Sequence, residues 1–494
     1  RLGALLYNLI DHGHLKMVGV LVPPSVGGTV VNTALSIDHR VAVNLNYTLS
    51  PDVMNFCISE CGIKTVVTSR AFMEKRPFEP DDARLVYLED LAQQVSFFDK
   101  LVGGYQAKFC SPEKLDRIHD LNSIQPEDLL TIIFTSGSTG NPKGVKLSNR
   151  NVSSNIAAVN ELFHITEKDV ILGVLPFFHS FGYTGTLWLT MSLEASSVYH
   201  FNPLDSRTVG TLSDEHDVSI ILATPTFLRS YMRRCTPEQM HHLDLVIVGA
   251  EKLPKDLAEQ FKEKFGVEPT EGYGTTELSP VASMNVPDHR ASEGADPGTR
   301  LGTVGKVAPG SEIKVVDPDS RADLGLDTEG LLVYRGPNVM VGYLNNDEAT
   351  AEKIRDGWYD TGDMGVIDEE GFITITGRMS RFSKIGGEMV PHIKIEQELE
   401  RLIEGEDEDP MIQVAVTAVP DARKGERLIV LHRPLGDKTI DGLLQSLSDL
   451  GLPNIWIPSS DSFLEVEEIP LLGTGKMDLK AVQQVATDNF TDGE

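Results

Sequence analysis

A run of Gly, Ser and Thr at residues 135–144, TSGSTGNPKG, is the segment whose residue types most directly indicate chemistry. It follows an apolar stretch of strand length, Leu129 to Phe134, and precedes a second short strand predicted at residues 145–147. Backbone N–H groups and hydroxyls in such a loop form a concave nest for phosphate oxygens, and Lys143 adds a positive charge. The G-x-x-x-x-G-K-[ST] pattern of P-loop NTPases is not met, so that class is disfavoured. Alone, the loop also fits a flexible turn.

Four further motifs follow in a fixed order. They are EGYGTTE at residues 271–277, YDTGD at 359–363, Gly377-Arg378, and LGTGK at 472–476. Together with the Gly-rich loop they resemble the motifs of the adenylate-forming superfamily, which contains acyl-CoA synthetases, luciferases and peptide-synthetase adenylation domains. The resemblance covers nearly the whole chain. It implies an enzyme that uses ATP and Mg²⁺ to activate a carboxylic acid as an acyl-adenylate, releases pyrophosphate, and passes the acyl group to a thiol.

The resemblance also implies a role for each motif. The residues expected to bind ATP are Thr135, Ser136, Gly137, Ser138, Thr139, Gly140, Lys143, Gly249, Ala250, Glu251, Gly272, Tyr273, Gly274, Thr275, Thr276, Asp363, Arg378 and Lys476. Of these, Thr276 is expected to donate to the α-phosphate, and Lys476 to reach between that phosphate and the carboxylate. Glu277 is the expected Mg²⁺ ligand, since this hard cation suits one carboxylate plus phosphate oxygens. The order of the motifs favours these roles over the ordinary interpretation of each residue as a solvated charge or a core side chain.

Tyr273 offers a flat face to adenine, with Gly249 and Ala250 as the opposite wall, and Asp363 and Arg378 are expected at the ribose. The acyl pocket is predicted in the uncharged aromatic segment LPFFHSFG, residues 175–182. The pocket residues are expected to be Phe178, His179, Phe181 and Gly182, with His179 also a catalytic residue. Amino-acid-activating relatives usually carry an Asp here, whereas aromatic and small residues suit an apolar chain. We therefore expect a fatty acid, although a buried core histidine is the alternative interpretation of His179.

A narrower resemblance rests on several longer stretches: VNLNYTLSP at 43–51, ATPTFLRSYMRRC at 223–235, VGAEKLP at 248–254, MNVP at 284–287 and SRFSKIGGEMV at 380–390. They are similar to the synthetase half of bifunctional 2-acylglycerophosphoethanolamine acyltransferase/acyl-[acyl carrier protein] synthetases. That implies acyl carrier protein as the thiol partner. A long-chain fatty acyl-CoA ligase, and a non-catalytic relative that binds nucleotide or carrier, remain alternatives. In that family an acyltransferase domain comes first. Because the chain starts within a helical pattern, we expect its true N-terminus to be missing, and a membrane-associated parent is consistent with this.

The amino-acid composition limits which partners the protein can bind and in which compartment it functions. Lys and Arg total 44 against 73 Asp and Glu, and the net charge of −29 argues against general nucleic-acid binding. Four cysteines in 494 residues indicate a reducing compartment. The expected location is therefore the cytoplasm, at the inner face of the membrane if the parent is membrane-associated. Cys57 and Cys61 are interpreted as small apolar side chains and not as a metal pair. The uncharged run from Ile171 to Leu193 is interpreted as buried core and not as a membrane span.

The elements that must hold these motifs alternate between short apolar strands and helical patterns, which predicts an α/β fold with mainly parallel sheets and flanking helices. The expected large domain is 1–377, with a β subdomain at about 300–377, and a small mobile α+β lid domain is expected at 378–494. A hinge is predicted at Ser380, with Gly386 and Gly387 on the thiol side. Ser380 departs from the Asp or Lys frequent there in the superfamily. Arg381 and Lys384 are candidate docking cations for an acidic carrier.

Overall fold

The computed structural model describes residues 17–135, 142–296, 298–386, 388–403, 412–421, 423–471 and 477–490. The helix expected at the start of the chain lies outside this range. The chain divides into a larger unit, built from residues up to 374, and a smaller unit, built from residue 375 onward together with residues 362–365. The larger unit contains two seven-stranded sheets and a five-stranded sheet, and the smaller unit is mixed α and β. The predicted fold class is therefore confirmed.

The first sheet has the strand order β16-β6-β5-β2-β1-β3-β4. Its strands are β1 Met17–Leu21, β2 Val41–Asn44, β3 Thr65–Thr68, β4 Arg84–Tyr87, β5 Leu129–Thr135, β6 Lys143–Ser148 and β16 Gly342–Tyr343. Strands β5, β2, β1, β3 and β4 pair in parallel, whereas β6 is antiparallel to both β5 and β16. The antiparallel β5–β6 hairpin places Thr135 opposite Lys143, so the two ends of the predicted phosphate loop are adjacent.

The second sheet has the order β13-β12-β11-β10-β9-β7-β8. Its strands are β7 Val170–Gly173, β8 Ser196–Tyr199, β9 Ile220–Ala223, β10 Leu245–Val248, β11 Thr270–Gly274, β12 Val281–Met284 and β13 Lys306–Val307. Strands β8, β7, β9, β10 and β11 are parallel to one another. Strands β12 and β13 continue the sheet in antiparallel fashion. Strand β7 is followed by β8 on one side, and the chain then returns to β9 on the other side. The sheet therefore reverses its direction of growth between β7 and β9.

A five-stranded sheet completes the larger unit, in the order β14-β15-β18-β17 with β19 also paired to β18. The strands are β14 Glu312–Val316, β15 Gly330–Arg335, β17 Ile354–Arg355, β18 Trp358–Ile367 and β19 Ile373–Arg378. Two strands from the region predicted as a β subdomain belong elsewhere, since β13 extends the second sheet and β16 extends the first.

Helices alternate with the strands of the larger unit. They are Val26–Ile37, Pro51–Glu60, Arg70–Lys75, Leu88–Gln94, Phe97–Phe109, Pro112–His119, Asn149–Leu162, Ser180–Gly182, Leu189–Ser192, Ser206–Glu215, Pro225–Arg234, Lys255–Phe265 and Asp347–Lys353, with a π-helical turn at Tyr183–Trp188. Ser148 caps the Asn149 helix, because its hydroxyl accepts from the Asn151 N–H at 3.2 Å. Ser50 is the N-cap residue of the Pro51 helix, but its side chain makes no capping hydrogen bond.

The smaller unit combines a two-stranded hairpin with a three-stranded sheet. Its strands are β20 Phe382–Ile385, β21 Glu388–Pro391, β22 Val414–Asp421, β23 Gly425–His432 and β24 Phe463–Glu465, and its helices are His392–Ile403, Ile440–Asp449 and Leu479–Phe490. Two apolar clusters cover the two faces of the three-stranded sheet, one around Val416 and Val430 and the other around Ile429 and Leu431.

Candidate functional site

The loops that follow the parallel strands of the second sheet lie at its carboxyl edge. This edge is where α/β proteins bind ligands, especially at the strands where sheet growth reverses. The segment after β7 carries Phe178 and His179, the segment after β10 begins with Gly249, and the segment after β11 begins with Thr275. Three segments that are far apart in the sequence are thus collected by the strand order alone.

The turn after β11 is built around glycine and two asparagines. A Cβ on Gly274 would lie 2.0 Å from the Pro280 carbonyl oxygen, so a larger residue requires the turn to move. The amide of buried Asn338 donates to the Leu278 and Val281 carbonyls at 2.8 and 3.0 Å, and the amide of Asn155 donates to Val281 at 2.8 Å. Both asparagines come from other elements. Neither asparagine is predictable from the sequence as a site residue, because a lone Asn carries no motif.

Glu277 is held from two sides in the 3₁₀ turn Thr276–Leu278. Its Oε1 accepts a hydrogen bond from the Tyr343 hydroxyl at 2.8 Å, and its carbonyl accepts from the Met340 N–H at 2.7 Å. Burial, and then the negative charge of Glu277, raise the pKa of Tyr343 well above its usual range, so the phenol remains a donor. The Lys143 ammonium lies 5.1 Å from the centroid of the Tyr343 ring. Tyr343 therefore connects the expected metal ligand with the base of the phosphate loop.

The predicted adenine wall lies beside the predicted acyl segment. A Cβ on Gly249 would be 3.4 Å from Phe181 Cε1 and 3.6 Å from the Gly272 carbonyl oxygen, which are ordinary van der Waals contacts, so Phe181 and β11 lie directly beside this glycine. Tyr273 and Phe181 are both partly buried and pack against the same apolar cluster. Ala250 and Glu251 are exposed, and Glu251 Oε2 accepts from the Thr226 hydroxyl at 3.0 Å.

Acidic side chains at this edge differ in their burial. Glu271, at the start of the EGYGTTE motif, is buried, and its Oε1 accepts from the Leu253 N–H at 3.1 Å. Burial raises the pKa of Glu271 from 4.5 to about 7, while that hydrogen bond and Lys252 act in the opposite direction. The carboxyl is thus near its titration point at neutral pH, unlike an ordinary surface carboxylate.

The acyl segment makes a direct contact with the nucleotide motif. The Ser180 hydroxyl donates to Thr276 Oγ1 at 3.3 Å. Phe178 is buried between Tyr47 and His179, with ring centroids 4.8 and 4.6 Å apart, whereas the His179 side chain is exposed. The structure therefore does not support a core histidine.

Gly182 is a required glycine of the same segment. A Cβ there would lie 2.3 Å from the Pro176 carbonyl oxygen, which is shorter than any ordinary contact. Tyr47, which packs on Phe178, lies in the VNLNYTLSP stretch and was not predicted as a site residue. Its aromatic character was the only signal that the sequence offered.

Other predicted residues fall at the edges of the described structure. Thr135 and Lys143 close the ends of the Gly-rich loop, but Ser136, Gly137, Ser138, Thr139 and Gly140 lie outside the described residues, as do Gly387 and Lys476. Ser380 lies in the 3₁₀ turn Met379–Arg381, and its side chain is not described. Gly386 is exposed at the end of β20 with φ of 59°, a conformation that favours glycine.

Asp363 and Arg378, the two residues predicted at the ribose, lie next to each other. The Arg378 Nε lies 3.0 Å from Asp363 Oδ1, with Asp363 buried and Arg378 exposed.

The structure contradicts the expectation that Arg381 is a docking cation. Its side chain is buried and pairs with the buried Glu396, whose Oε1 accepts from the Val416 N–H at 2.6 Å. A buried, paired guanidinium is not accessible to a protein partner. Lys384 is exposed on β20, and its backbone N–H donates to Glu426 Oε2 at 2.6 Å.

Possible metal ligands and membrane-spanning helices are the remaining features of this part of the molecule. Within the described ranges, no group of three or more His, Cys, Asp or Glu side chains is placed to hold a metal ion. Cys57 and Cys61 are free thiols, and burial raises the pKa of Cys57 to about 12. Of the helices that the structure describes, none has the length and apolar character needed to cross a membrane.

The chain is similar to one protein family and to several enzymes that join a carboxylic acid to CoA. The family model described as AMP-binding enzyme matches residues 1–344. The long-chain-fatty-acid–CoA ligase of Bacillus subtilis is 27% identical over 405 residues, which are 79% of this chain and 68% of that protein. Indoleacetate–CoA ligase of Aromatoleum aromaticum is 30% identical over 365 residues, or 73% of this chain and 68% of that protein.

Two solved structures share the fold. ATP-bound MatB from Rhodopseudomonas palustris has a TM-score of 0.78 at 25% identity, covering 99% of this chain and 93% of that chain. O-succinylbenzoate coenzyme A synthetase (MenE) from Bacillus subtilis, in complex with ATP and a magnesium ion, has a TM-score of 0.77 at 23% identity, covering 98% and 92%. At that identity the second likeness shows the fold alone.

Proposed function

The chain belongs to the AMP-binding enzyme family, and we propose that it activates a fatty acid with ATP and transfers the acyl group to the phosphopantetheine thiol of acyl carrier protein. In the first step a carboxylate oxygen attacks the α-phosphorus of ATP, the bond to the β-phosphate oxygen breaks, and pyrophosphate leaves. In the second step the thiolate attacks the acyl carbonyl and AMP leaves.

The observation that supports the first step most strongly is the hydrogen bond from Ser180 to Thr276. It joins the apolar acyl segment to the motif expected at the α-phosphate, which is the juxtaposition that an attacking carboxylate needs. Thr276 then orients the α-phosphate, and Lys143 and the loop from Thr135 to Gly140 receive the departing pyrophosphate. Donors fixed before the reaction stabilise the charge that develops in the transition state.

The residues present fit a magnesium ion carried by the nucleotide. Glu277 offers one partly exposed carboxylate, and no all-protein cage exists in the described parts of the chain, which matches the preference of Mg²⁺ for one or two carboxylates plus phosphate oxygens. Mg²⁺ would neutralise phosphate charge there. The role of Tyr343 is to hold the carboxylate in one orientation through its 2.8 Å hydrogen bond.

We propose that two groups of residues bind the nucleoside, one at the adenine and one at the ribose. Tyr273 stacks on adenine, with Gly249 and Ala250 opposite. Asp363 accepts from the ribose hydroxyls and Arg378 donates to them. Glu251, Gly272, Gly274 and Thr275 complete the ATP site through their backbone.

The acid is proposed to be a fatty acid because the segment around Phe178 and Phe181 carries no charge that would pair with a polar substrate. The name of the Bacillus subtilis relative, a long-chain-fatty-acid–CoA ligase, supports this choice. We assign His179 to the carboxylate end of the acid, since its side chain is exposed beside buried Phe178.

The observations constrain the identity of the acceptor thiol less than they constrain the acid. The narrower sequence resemblance supports acyl carrier protein, whereas both named relatives are CoA ligases, which supports the alternative of a long-chain fatty acyl-CoA ligase. Arg381 is excluded from carrier docking by its burial, but Arg229, Arg233 and Arg234 are exposed on helix Pro225–Arg234 and leave a basic surface. Membrane association through a preceding acyltransferase domain belongs to the same proposal.

The small-domain residues are assigned to the change between the two steps. We place the domain boundary at 377–378 and the hinge at Ser380, with Lys476 serving adenylation and Gly386 and Gly387 serving the thiol step. Lys476→Ala should abolish pyrophosphate release while thioester formation from supplied acyl-adenylate continues.

Pyrophosphate release, measured over a panel of acids, tests the proposal, with mass spectrometry of the products formed on acyl carrier protein and on CoA. We expect release with long-chain acids and an acyl-carrier product. Efficient acyl-CoA formation without an acyl-carrier product would establish the ligase alternative. Absence of release with every acid, in wild type as in Glu277→Gln, would indicate a non-catalytic relative.

A further inference from the structure

The helix Phe97–Phe109 has an unusual relation to the rest of the larger unit, because none of its thirteen residues is buried. Six large apolar side chains project from it, with exposed fractions between 37% and 74%. They are Phe97, Phe98, Leu101, Val102, Tyr105 and Phe109. An amphipathic helix normally gains most of its stability by burying such a face, so this one leaves its apolar face without a protein partner among the described residues.

The six side chains form one continuous surface, which we call the aromatic face. At about 100° per residue they occupy about 140° of the helix circumference. Ring contacts run along it, with Phe97 and Phe98 centroids 6.2 Å apart and Tyr105 and Phe109 centroids 5.5 Å apart. Four of the six are Phe or Tyr, the residues that combine a large apolar body with little loss of conformational freedom.

The helix Phe97–Phe109 has low intrinsic stability in water. Gly103 and Gly104 lie in its middle, and a Cβ at either would meet nothing within 4 Å, so close packing does not require them. Its N-terminus is fixed by a capping box in which Ser96 and Asp99 exchange hydrogen bonds. The helix therefore has a fixed N-terminus, two destabilising glycines at its centre and an exposed apolar face. A partner that covers the aromatic face would stabilise it.

Charge identifies the partner. The Lys108 ammonium lies 5.7 Å from the Phe109 ring centroid, and that of Lys114 lies 5.9 Å from the Tyr105 ring centroid. Asp99 lies on the opposite side of the helix, and its carboxylate accepts from the Ser96 hydroxyl at 2.7 Å. Residues 97–119 carry four Lys or Arg against three Asp or Glu, in a chain with a net charge of −29. The aromatic face is therefore bordered by cations in an otherwise acidic protein.

We propose that the aromatic face binds the surface of an anionic lipid bilayer, with the helix lying in the plane of the interface. Aromatic rings enter the boundary between headgroups and acyl chains, and Lys108 and Lys114 extend to the phosphates. This contact is separate from any membrane domain that precedes the chain. It would place the enzyme where apolar acids dissolve, but it does not depend on which acid the enzyme activates.

Vesicle flotation of the full 494-residue chain tests the proposal. The lipid is phosphatidylglycerol mixed with phosphatidylethanolamine, compared with phosphatidylcholine alone. Wild type should float with the anionic vesicles. The variant Phe97→Gln/Phe98→Gln/Phe109→Gln should reduce the floated fraction by about tenfold or more, because it removes the inserted rings while keeping a helix-forming residue.

The control replaces three exposed leucines elsewhere on the surface, Leu204→Gln/Leu326→Gln/Leu450→Gln, and it should float like wild type. The variant Lys108→Glu/Lys114→Glu should bind the anionic vesicles severalfold less. All variants should keep the circular dichroism melting curve of wild type.

Three results would overturn the proposal. The first is a wild type that does not float, and the second is a triple Phe variant that floats as wild type does. The third is a wild-type dimer in sedimentation experiments that the triple Phe variant converts to monomer, because a second copy would then cover the aromatic face.

Discussion

Glu271→Gln should make the protein more stable above about pH 7, by roughly 3 kcal/mol. Glu271 is buried, and burial raises its pKa from 4.5 to about 7. The hydrogen bond from the Leu253 N–H at 3.1 Å reaches Oε1, an atom that glutamine also has. The substitution therefore keeps the acceptor and the volume while it removes the ionisation.

The direction follows from the two pKa values. In the unfolded chain Glu271 ionises near 4.5, whereas in the folded chain it ionises near 7. Between these values the folded state holds a proton that the unfolded state has released. The stability contributed by the neutral carboxyl is fully present below pH 4.5 and is lost as the pH rises to about 7. A pKa difference of this size corresponds to roughly 3 kcal/mol, and glutamine does not incur the loss.

Urea unfolding of wild type and Glu271→Gln at several pH values between about 5 and 8 measures the effect. The difference between the two proteins isolates Glu271 from the other carboxylates, and it should grow with pH and level off above about 7.5. Glu259→Gln, at an exposed position on helix Lys255–Phe265, is the control and should show little dependence. A difference that stays constant with pH, or that grows toward acid, would refute the reasoning.

Three further substitutions test other parts of the structure. Tyr343→Phe should slow pyrophosphate release about fivefold, because Glu277 loses a hydrogen bond of about 1 kcal/mol; an unchanged rate across Mg²⁺ concentrations would contradict its holding role. Arg381→Met should destabilise the smaller unit in urea by about 3–5 kcal/mol, because it leaves Glu396 buried and unpaired. Adding Glu396→Leu should restore most of that loss, and no recovery would argue against the pair. Gly182→Ala should raise KM for the acid in steady-state assays, since its Cβ displaces the loop before it, and a KM equal to that of wild type would show that the loop adapts.

The local hydropathy pattern was sufficient to predict the strands that position the site. The short apolar runs from Ile220 to Ala223 and from Leu245 to Val248 predict strands on hydropathy alone, and both are buried strands with those bounds, β9 and β10. The strand predicted at 145–147 is longer in the structure, Lys143–Ser148. Its extra residues, Lys143, Gly144 and Ser148, are not apolar, and they belong to the strand because they pair with β5, which a hydropathy pattern does not record.

Long-range pairing explains what the sequence did not reveal. Arg381 stands in a polar, basic stretch and was predicted to be an exposed docking cation, yet the structure buries it against Glu396 on the next helix. The composition of a segment predicts exposure only when no partner of opposite charge is folded onto it. Asn338 illustrates the same limit, since its two carbonyl partners lie about sixty residues away.

The position of the proposed metal ligand depends on both large sheets. Glu277 follows β11 of the second sheet, whereas Tyr343 ends β16, which pairs with β6 of the first sheet. In that pairing Tyr343 is opposite Val145, two residues beyond Lys143. Strand register therefore sets the 5.1 Å approach of Lys143 to the Tyr343 ring, and the hydrogen bond from Tyr343 then transmits that register to Glu277. A shift of one residue between β16 and β6 would turn Tyr343 to the opposite face of the sheet and leave the carboxylate without its donor.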